Sequence, residues 1–211
     1  MPKISRAKLA DQTWNALKKA FPDSDCSLDF DLPERLAIRG ILSAQCTDKR
    51  VNLTSKELFA KFPDMRAIAD APDEEIAAVI KPCGLTASKT ASVKDFASHM
   101  VNDWGGVIPE DADELVKVRG IGRKIANLIV GEVYGIPAVV VDTHCKRVMK
   151  RIGITDSGDP AKVEKDIMKV FGEDKWIAIG HLSVDLGRTY CKAQSPYCES
   201  CPLSGFCGRR I

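Results

Sequence analysis

Long apolar runs are missing from this chain. None approaches the ~18 consecutive apolar residues of a membrane-crossing helix, which excludes a membrane span of that kind. The opening stretch, MPKISRAKLADQTW, starts with charge but has no apolar core of the sort a secretory leader carries, so a cytoplasmic protein is expected, nucleoid-associated if bacterial. Low-complexity segments and internal repeats are missing too, which excludes linker-like and solenoid readings. Strand patterning is nearly absent: AVVV at 138–141 is the one such stretch, too short and isolated to build a sheet. Strong net charge is also lacking. Thirty-one Lys and Arg against 29 Asp and Glu leave only +2, so bulk charge nominates no partner.

What is there is helical. The 211 residues are 45% hydrophobic and 28% charged, an ordinary globular composition with room for one large domain or two small ones. Residues 6–20 put Leu9, Trp14 and Leu17 on one broad face, and 34–45 (ERLAIRGILSAQ) carries apolar positions at helical spacing. The same spacing runs through 49–61, 73–80 and 87–103, with breaks at Pro63, Pro72, Gly84 and Pro109. Residues 125–135 are apolar nearly all round, which predicts a buried helix. Residues 143–153 predict a helix capped by Asp142, and 160–171 and 175–190 predict two more. The expected fold class is all-α, built from roughly ten short helices.

Charge is balanced overall but not locally. Residues 117–151 hold eight basic side chains (Lys117, Arg119, Arg123, Lys124, Lys146, Arg147, Lys150 and Arg151) against Glu132 and Asp142. That window is +6, which leaves −4 for the rest of the chain. A basic face on a near-neutral protein suits a polyanion such as DNA; a solvated helix face is the other reading.

The eight cysteines are just as uneven. Cys26, Cys46, Cys83 and Cys145 are scattered, whereas Cys191, Cys198, Cys201 and Cys207 crowd into 17 residues. In a reducing compartment such crowding points to metal ligands rather than disulfides. The spacing C-x6-C-x2-C-x5-C can surround one compact centre. Zinc and iron–sulfur both accept four thiolates, although typical zinc ribbons use two C-x2-C pairs far apart and only one is present here.

The stretch VRGIGRKIAN, 118–127, joins two helices through a glycine turn. Gly120 and Gly122 permit positive φ and close backbone approach, and the unpaired N–H groups of the helix that follows suit a phosphate. It is neither a Rossmann nor a Walker loop, since no strand precedes it and the spacing to lysine is wrong. Lys124 opens the helix, and Asp142 closes the apolar run VVVD. Separately they read as a surface lysine and a plain N-cap. Together they suggest chemistry. An amine freed of its proton by low-dielectric surroundings is a nucleophile, and a carboxylate can take protons and stabilise a developing cation. Attack on a sugar C1′ would expel the base and leave a Schiff base.

VRGIGRKIAN followed by VVVDTHCKRV resembles the helix–hairpin–helix and Gly/Pro–Asp signature of the endonuclease III family of DNA glycosylases. The resemblance spans most of the chain: GIP before AVVVD matches the Gly-Pro element loosely, LSAQCTDKRVN (42–52) is similar to the family's LSAQ-T-D helix, CGLTASK (83–89) to its wedge loop, and the cysteine cluster to its [4Fe–4S] loop.

The resemblance implies a bifunctional base-excision repair enzyme, a glycosylase and abasic-site lyase acting on oxidised pyrimidines. Its partner would be double-stranded DNA with damaged bases or abasic sites, and a monomer is expected because one molecule holds every needed part. Lys124 would be the Schiff-base nucleophile and Asp142 the catalytic carboxylate. Gln45 would fill the hole left by the extruded base, with Leu85 as the wedge; a helix-internal hydrogen bond and a core position are the plainer readings of these two. Arg119, Gly120, Gly122, Arg123 and Lys192 would contact DNA. Cys191, Cys198, Cys201 and Cys207 would hold a [4Fe–4S] cluster, with Arg209 and Arg210 adding charge beyond the last ligand. Residues 27–136 would form a six-helix domain containing the hairpin, and 1–26 with 137–211 the cluster domain. The two would flank a DNA-binding cleft in which Lys124 and Asp142 face each other.

Three departures from the pattern stand out. Arg119 replaces the usual proline before the first glycine, Ile125 replaces a frequent threonine after the lysine, and Pro82-Cys83 opens the wedge loop. A mismatch or uracil glycosylase on the same scaffold, and a non-enzymatic DNA-binding module held by a metal, are the alternatives.

Overall fold

The computed structural model describes residues 5–209, and every regular element among them is helical. In chain order the α-helices are α1 (Arg6–Ala20), α2 (Pro33–Leu42), α3 (Asp48–Lys61), α4 (Met65–Asp70), α5 (Asp73–Ile80), α6 (Thr86–Asn102), α7 (Ala112–Leu115), α8 (Arg123–Tyr134), α9 (Thr143–Ile152), α10 (Pro160–Met168) and α11 (Trp176–Thr189). Among the described residues no helix is long and apolar enough to cross a membrane.

Local chemistry sets the helix ends. Asp64, Asp111, Asp142 and Asp159 cap α4, α7, α9 and α10, each accepting a backbone N–H in the first turn. Gly135 and Gly153 end α8 and α9 at positive φ, 66° and 107°. One expected helix is cut short. The periodicity of 34–45 continues past Leu42, but the Ser43 hydroxyl donates to the Gly40 carbonyl (2.7 Å) and the chain turns, with Gln45 at φ 52°. Gln45 therefore sits in a turn and not on a helix.

The chain divides into two compact units. In Cys26–Gly135, α2, α4 and α5 pack on α6, α3 packs on α5, and α8 lies against α2. Leu36, Ile38, Phe96, Met100, Leu115 and Ile129 form its buried centre, each such side chain contributing about 1.5–3 kcal/mol. Gly40 allows α2 and α8 to meet closely: a Cβ there would stand 2.9 Å from Cγ2 of Ile125. That contact explains why an apolar residue follows Lys124. Arg39, also buried, donates to Ser55 Oγ (3.0 Å), the Asp29 carbonyl (2.7 Å) and Asp31 Oδ1 (2.6 Å). Partial burial works to raise the Asp31 pKa, but the hydrogen bonds from Arg39 and Arg35 outweigh it and bring the carboxyl to about 2.

In the other unit, Met1–Asp25 with Ile136–Ile211, α11 packs on α9, with α1 against α11 and α10 against α9. Leu17, Val148, Met149, Ile167, Ile179 and Leu182 are its fully buried centre. The valines of 138–141 form no strand; Val139 is buried and Val141 packs against the same core. Burial, and then the neighbouring Asp142, push the Cys145 thiol up to about 12, so it serves as a packing group.

Candidate active site

The glycine turn joins α7 to α8. Val118 and Ile121 are buried and anchor it from inside. Gly120 sits at φ 81°, where a Cβ would stand 2.5 Å from Ser92 Oγ, so both conformation and space demand glycine. Gly122 has φ −91° and ψ 176°, an extended residue before α8, and a Cβ there would meet nothing within 4 Å. Its smallness leaves the surface open. The Arg119 N–H donates to Asp95 Oδ2 at 2.9 Å. Proline has no N–H, so arginine before the first glycine ties the turn to α6 through a bond the commoner residue could not make.

Arg123 and Lys124 occupy the first turn of α8, and both are exposed. The low-dielectric burial expected for Lys124 is thus not supplied by the protein in this state; the lysine stands at an open helix start, where the positive end of the dipole faces outward. Asp142, in the other unit, caps α9 through a 2.7 Å hydrogen bond from the Cys145 N–H to Oδ1. His144 lies beside it. Burial first, and then Arg147 and Arg188, hold the His144 pKa below its ordinary value against the pull of Asp142. Arg147 Nη2 approaches His144 Nδ1 at 3.1 Å, which suits a neutral ring with its proton on Nε2.

Gln45 and Leu85 lie on two turns of one unit. Both are exposed, Leu85 at 51%, and both have left-handed backbones, φ 52° and 49°. Neither of the plainer readings holds for them, since Gln45 is outside the helix and Leu85 is outside the core. The Pro82-Cys83 departure forms a 3-10 turn (Lys81–Cys83) that buries Cys83 and leads into Leu85. Cys191, Cys198, Cys201 and Cys207 come together around one pocket that Ile152, Leu186 and Leu203 also line.

A family model for HhH-GPD superfamily base excision DNA repair proteins matches residues 38–173, and one for the iron–sulfur binding domain of endonuclease III matches 191–207. The endonuclease III of Bacillus subtilis is 41% identical over 89% of this chain and 86% of its own. That of Synechocystis is 36% identical over 96% and 93%. The structure of a non-covalent endonuclease III–DNA complex superposes with a TM-score of 0.91 at 37% identity, covering 97% of this chain and 95% of that one. A trapped endonuclease III–DNA covalent intermediate gives the same TM-score and identity, over 97% and 96%. The chain belongs to the endonuclease III family. It is a DNA glycosylase with abasic-site lyase activity, it binds DNA, and its cofactor is a [4Fe–4S] cluster.

The donor set of this chain fits that cluster. None of its cysteines is paired as a disulfide. Burial chiefly, and then the other three thiols, push the Cys201 pKa up; burial also raises that of Cys207, with Cys191 and Cys198 adding to it. Bare thiolates so close repel one another, and a cationic iron centre relieves this. Arg151 brackets the loop from α9: it donates to the carbonyls of Lys192 (2.6 Å) and Ala193 (2.9 Å), with Nη1 3.5 Å from Cys191 Sγ. Arg147 donates to the Cys191 carbonyl (2.9 Å) and the Gly187 carbonyl (3.0 Å). These two members of the basic window thus hold the cysteine loop, a role that charge counting did not reveal. Lys192 lies over the Tyr197 ring, 4.6 Å from its centroid, and Arg209 pairs with Glu199 at 3.3 Å. Arg210 falls outside the described residues.

Proposed function

We propose that this enzyme removes oxidised pyrimidines from duplex DNA and cleaves the resulting abasic site, with Lys124 as nucleophile and Asp142 as the catalytic carboxylate. The observation that carries the reading is the exposed Lys124 at the start of α8, directly after a glycine turn whose outer side is open at Gly122. Phosphate bound at that turn brings the sugar to the lysine, and the covering duplex excludes water, so desolvation of the amine comes with binding.

The neutral Nζ attacks C1′, and the base departs with the glycosidic electron pair and takes up a proton. The nitrogen gives up one proton as the C1′–O4′ bond breaks and O4′ takes up a proton, leaving an iminium that keeps one N–H between Lys124 and C1′. Loss of a C2′ proton then expels the 3′ phosphate by β-elimination, and water releases the lysine. Asp142 accepts a proton from the attacking amine and stabilises positive charge on the sugar. The extruded base leaves a gap that Gln45 fills, its amide both donating and accepting, while Leu85 wedges the opposite strand. Arg119, Arg123, Lys192 and the N–H groups near Gly120 and Gly122 hold the backbone. Cys191, Cys198, Cys201 and Cys207 hold the cluster, which positions the DNA-binding loop. The protein acts as a monomer in the compartment that contains the DNA, the cytoplasm.

A panel of duplexes, each with a single thymine glycol, a uracil or a G·T mismatch, tests the substrate class. Fastest release from thymine glycol with coupled strand cleavage is expected. Faster release of uracil or mismatched thymine, without cleavage, would transfer the reading to a mismatch or uracil glycosylase.

A further inference from the structure

Lys89 is 3% exposed, on the first turn of α6. Its Nζ donates to the Ala44 carbonyl (2.7 Å) and to the Cys83 carbonyl (2.8 Å). Ala44 directly precedes Gln45, and Cys83 precedes Leu85 by two residues. One buried ammonium therefore ties together the two turns on which Gln45 and Leu85 stand.

The energetics do not suit a contact made for stability alone. Burying an ammonium is costly, and burial draws the Lys89 pKa down against the opposing pull of Cys46 and Cys83. The side chains at the tips of the joined turns gain little burial, although Cys83 behind them is buried: Leu85 is 51% exposed and Gln45 is exposed as well. Both residues are also left-handed, a strained conformation outside glycine. Charge burial and strain are spent on holding two exposed side chains in one arrangement. The Arg50 guanidinium, 3.5 Å from the Pro82 carbonyl, braces the second turn from α3.

We propose that Lys89 is a positioning residue for base extrusion: it fixes the separation of the two turns so that Gln45 and Leu85 enter the duplex as a unit. This rests on the reading of Gln45 as hole-filler and Leu85 as wedge. Lys89→Met keeps the length and apolar stem but leaves both carbonyls without their donor. Lys89→Arg keeps the charge but changes the reach, so the separation of the turns shifts.

The test compares two substrates: a duplex with one thymine glycol, where a base must leave the stack, and a single-stranded oligonucleotide with one abasic site, where none must. Lys89→Met lowers duplex excision by roughly tenfold to a hundredfold, as displacement of a site by an ångström does, and leaves single-strand cleavage near wild type. Lys89→Arg shows the same selective loss to a smaller degree, and decides the question if the methionine variant does not fold. Equal losses on both substrates, or none on either, would overturn the proposal. Leu85→Ala and the double variant Lys89→Met/Leu85→Ala complete a cycle. A double variant no worse than the poorer single supports action through the wedge, and strictly multiplied losses overturn it. If Leu85→Ala alone excises normally, the wedge reading fails, a result separate from the outcome for Lys89.

Discussion

Gly120 lies so close to Ser92 that a Cβ on it would stand 2.5 Å from the serine Oγ and 2.7 Å from its Cβ. The residue is also at φ 81°. Gly120→Ala therefore strains the backbone and displaces α6, at a cost of about 2–4 kcal/mol. Gly122→Ala meets open space in an extended conformation and costs at most about 1 kcal/mol, as a poorer N-cap. Urea unfolding separates the two. On the proposed reading duplex affinity falls in both: the methyl at 122 fills the open side assigned to the DNA backbone, and strain at 120 moves the turn itself.

Asp142 combines a cap with a proposed chemical role, and two substitutions divide them. Asparagine caps as well as aspartate does, so Asp142→Asn keeps the bond from the Cys145 N–H and the stability, yet loses excision activity by a factor of a hundred or so, as removal of a positioned general base does. Asp142→Ala loses about 1 kcal/mol of stability as well. Single-turnover rates beside melting curves give both readings.

Arg151 offers a test of the cluster loop. Arg151→Ala removes donors from the carbonyls of Lys192 and Ala193 and the guanidinium beside Cys191. The purified variant should contain less iron per chain and lose visible absorbance faster in air, while α9 keeps its helicity. Unchanged iron content and colour would show that the loop does not need the bracket.

The hairpin and the cysteine loop were legible in the sequence because each is built from neighbours at fixed spacing. Gly120, Gly122 and Lys124 fall within five residues, and the four cysteines within 17. The all-helical class followed from periodicity for the same local reason. Tertiary partnerships were hidden. Lys89 reads as one more polar position on α6, and its two acceptors are backbone carbonyls that any residue could supply. Arg147 and Arg151 read as part of a basic face, since only the folded loop presents carbonyls to them. The turn at 43–46 was concealed by apolar spacing that runs on past the true helix end. The burial expected around Lys124 came from reasoning about amine chemistry, and the structure instead leaves that lysine open.

Asp31 gives a pH dependence with a defined sign. Its carboxyl, normally near 3.8, is brought to about 2 in the fold by Arg39 and Arg35. A depressed carboxylate contributes stability at pH values above its unfolded pKa, and that contribution is lost as pH falls from about 4 to about 2. The difference in unfolding free energy between wild type and Asp31→Asn should therefore stay level from pH 8 to pH 5. A difference that already shrinks by pH 5 would contradict the assignment.

In the proposed mechanism Lys124 forms the covalent link to DNA. Sodium borohydride reduces an imine to a stable amine, so trapping on a duplex with one thymine glycol, with wild type and Lys124→Ala side by side, tests it most directly. A covalent protein–DNA band with wild type alone, while Lys124→Ala still binds the duplex, is the predicted result. A band of equal strength with Lys124→Ala, or none with wild type bound to the duplex, would contradict it.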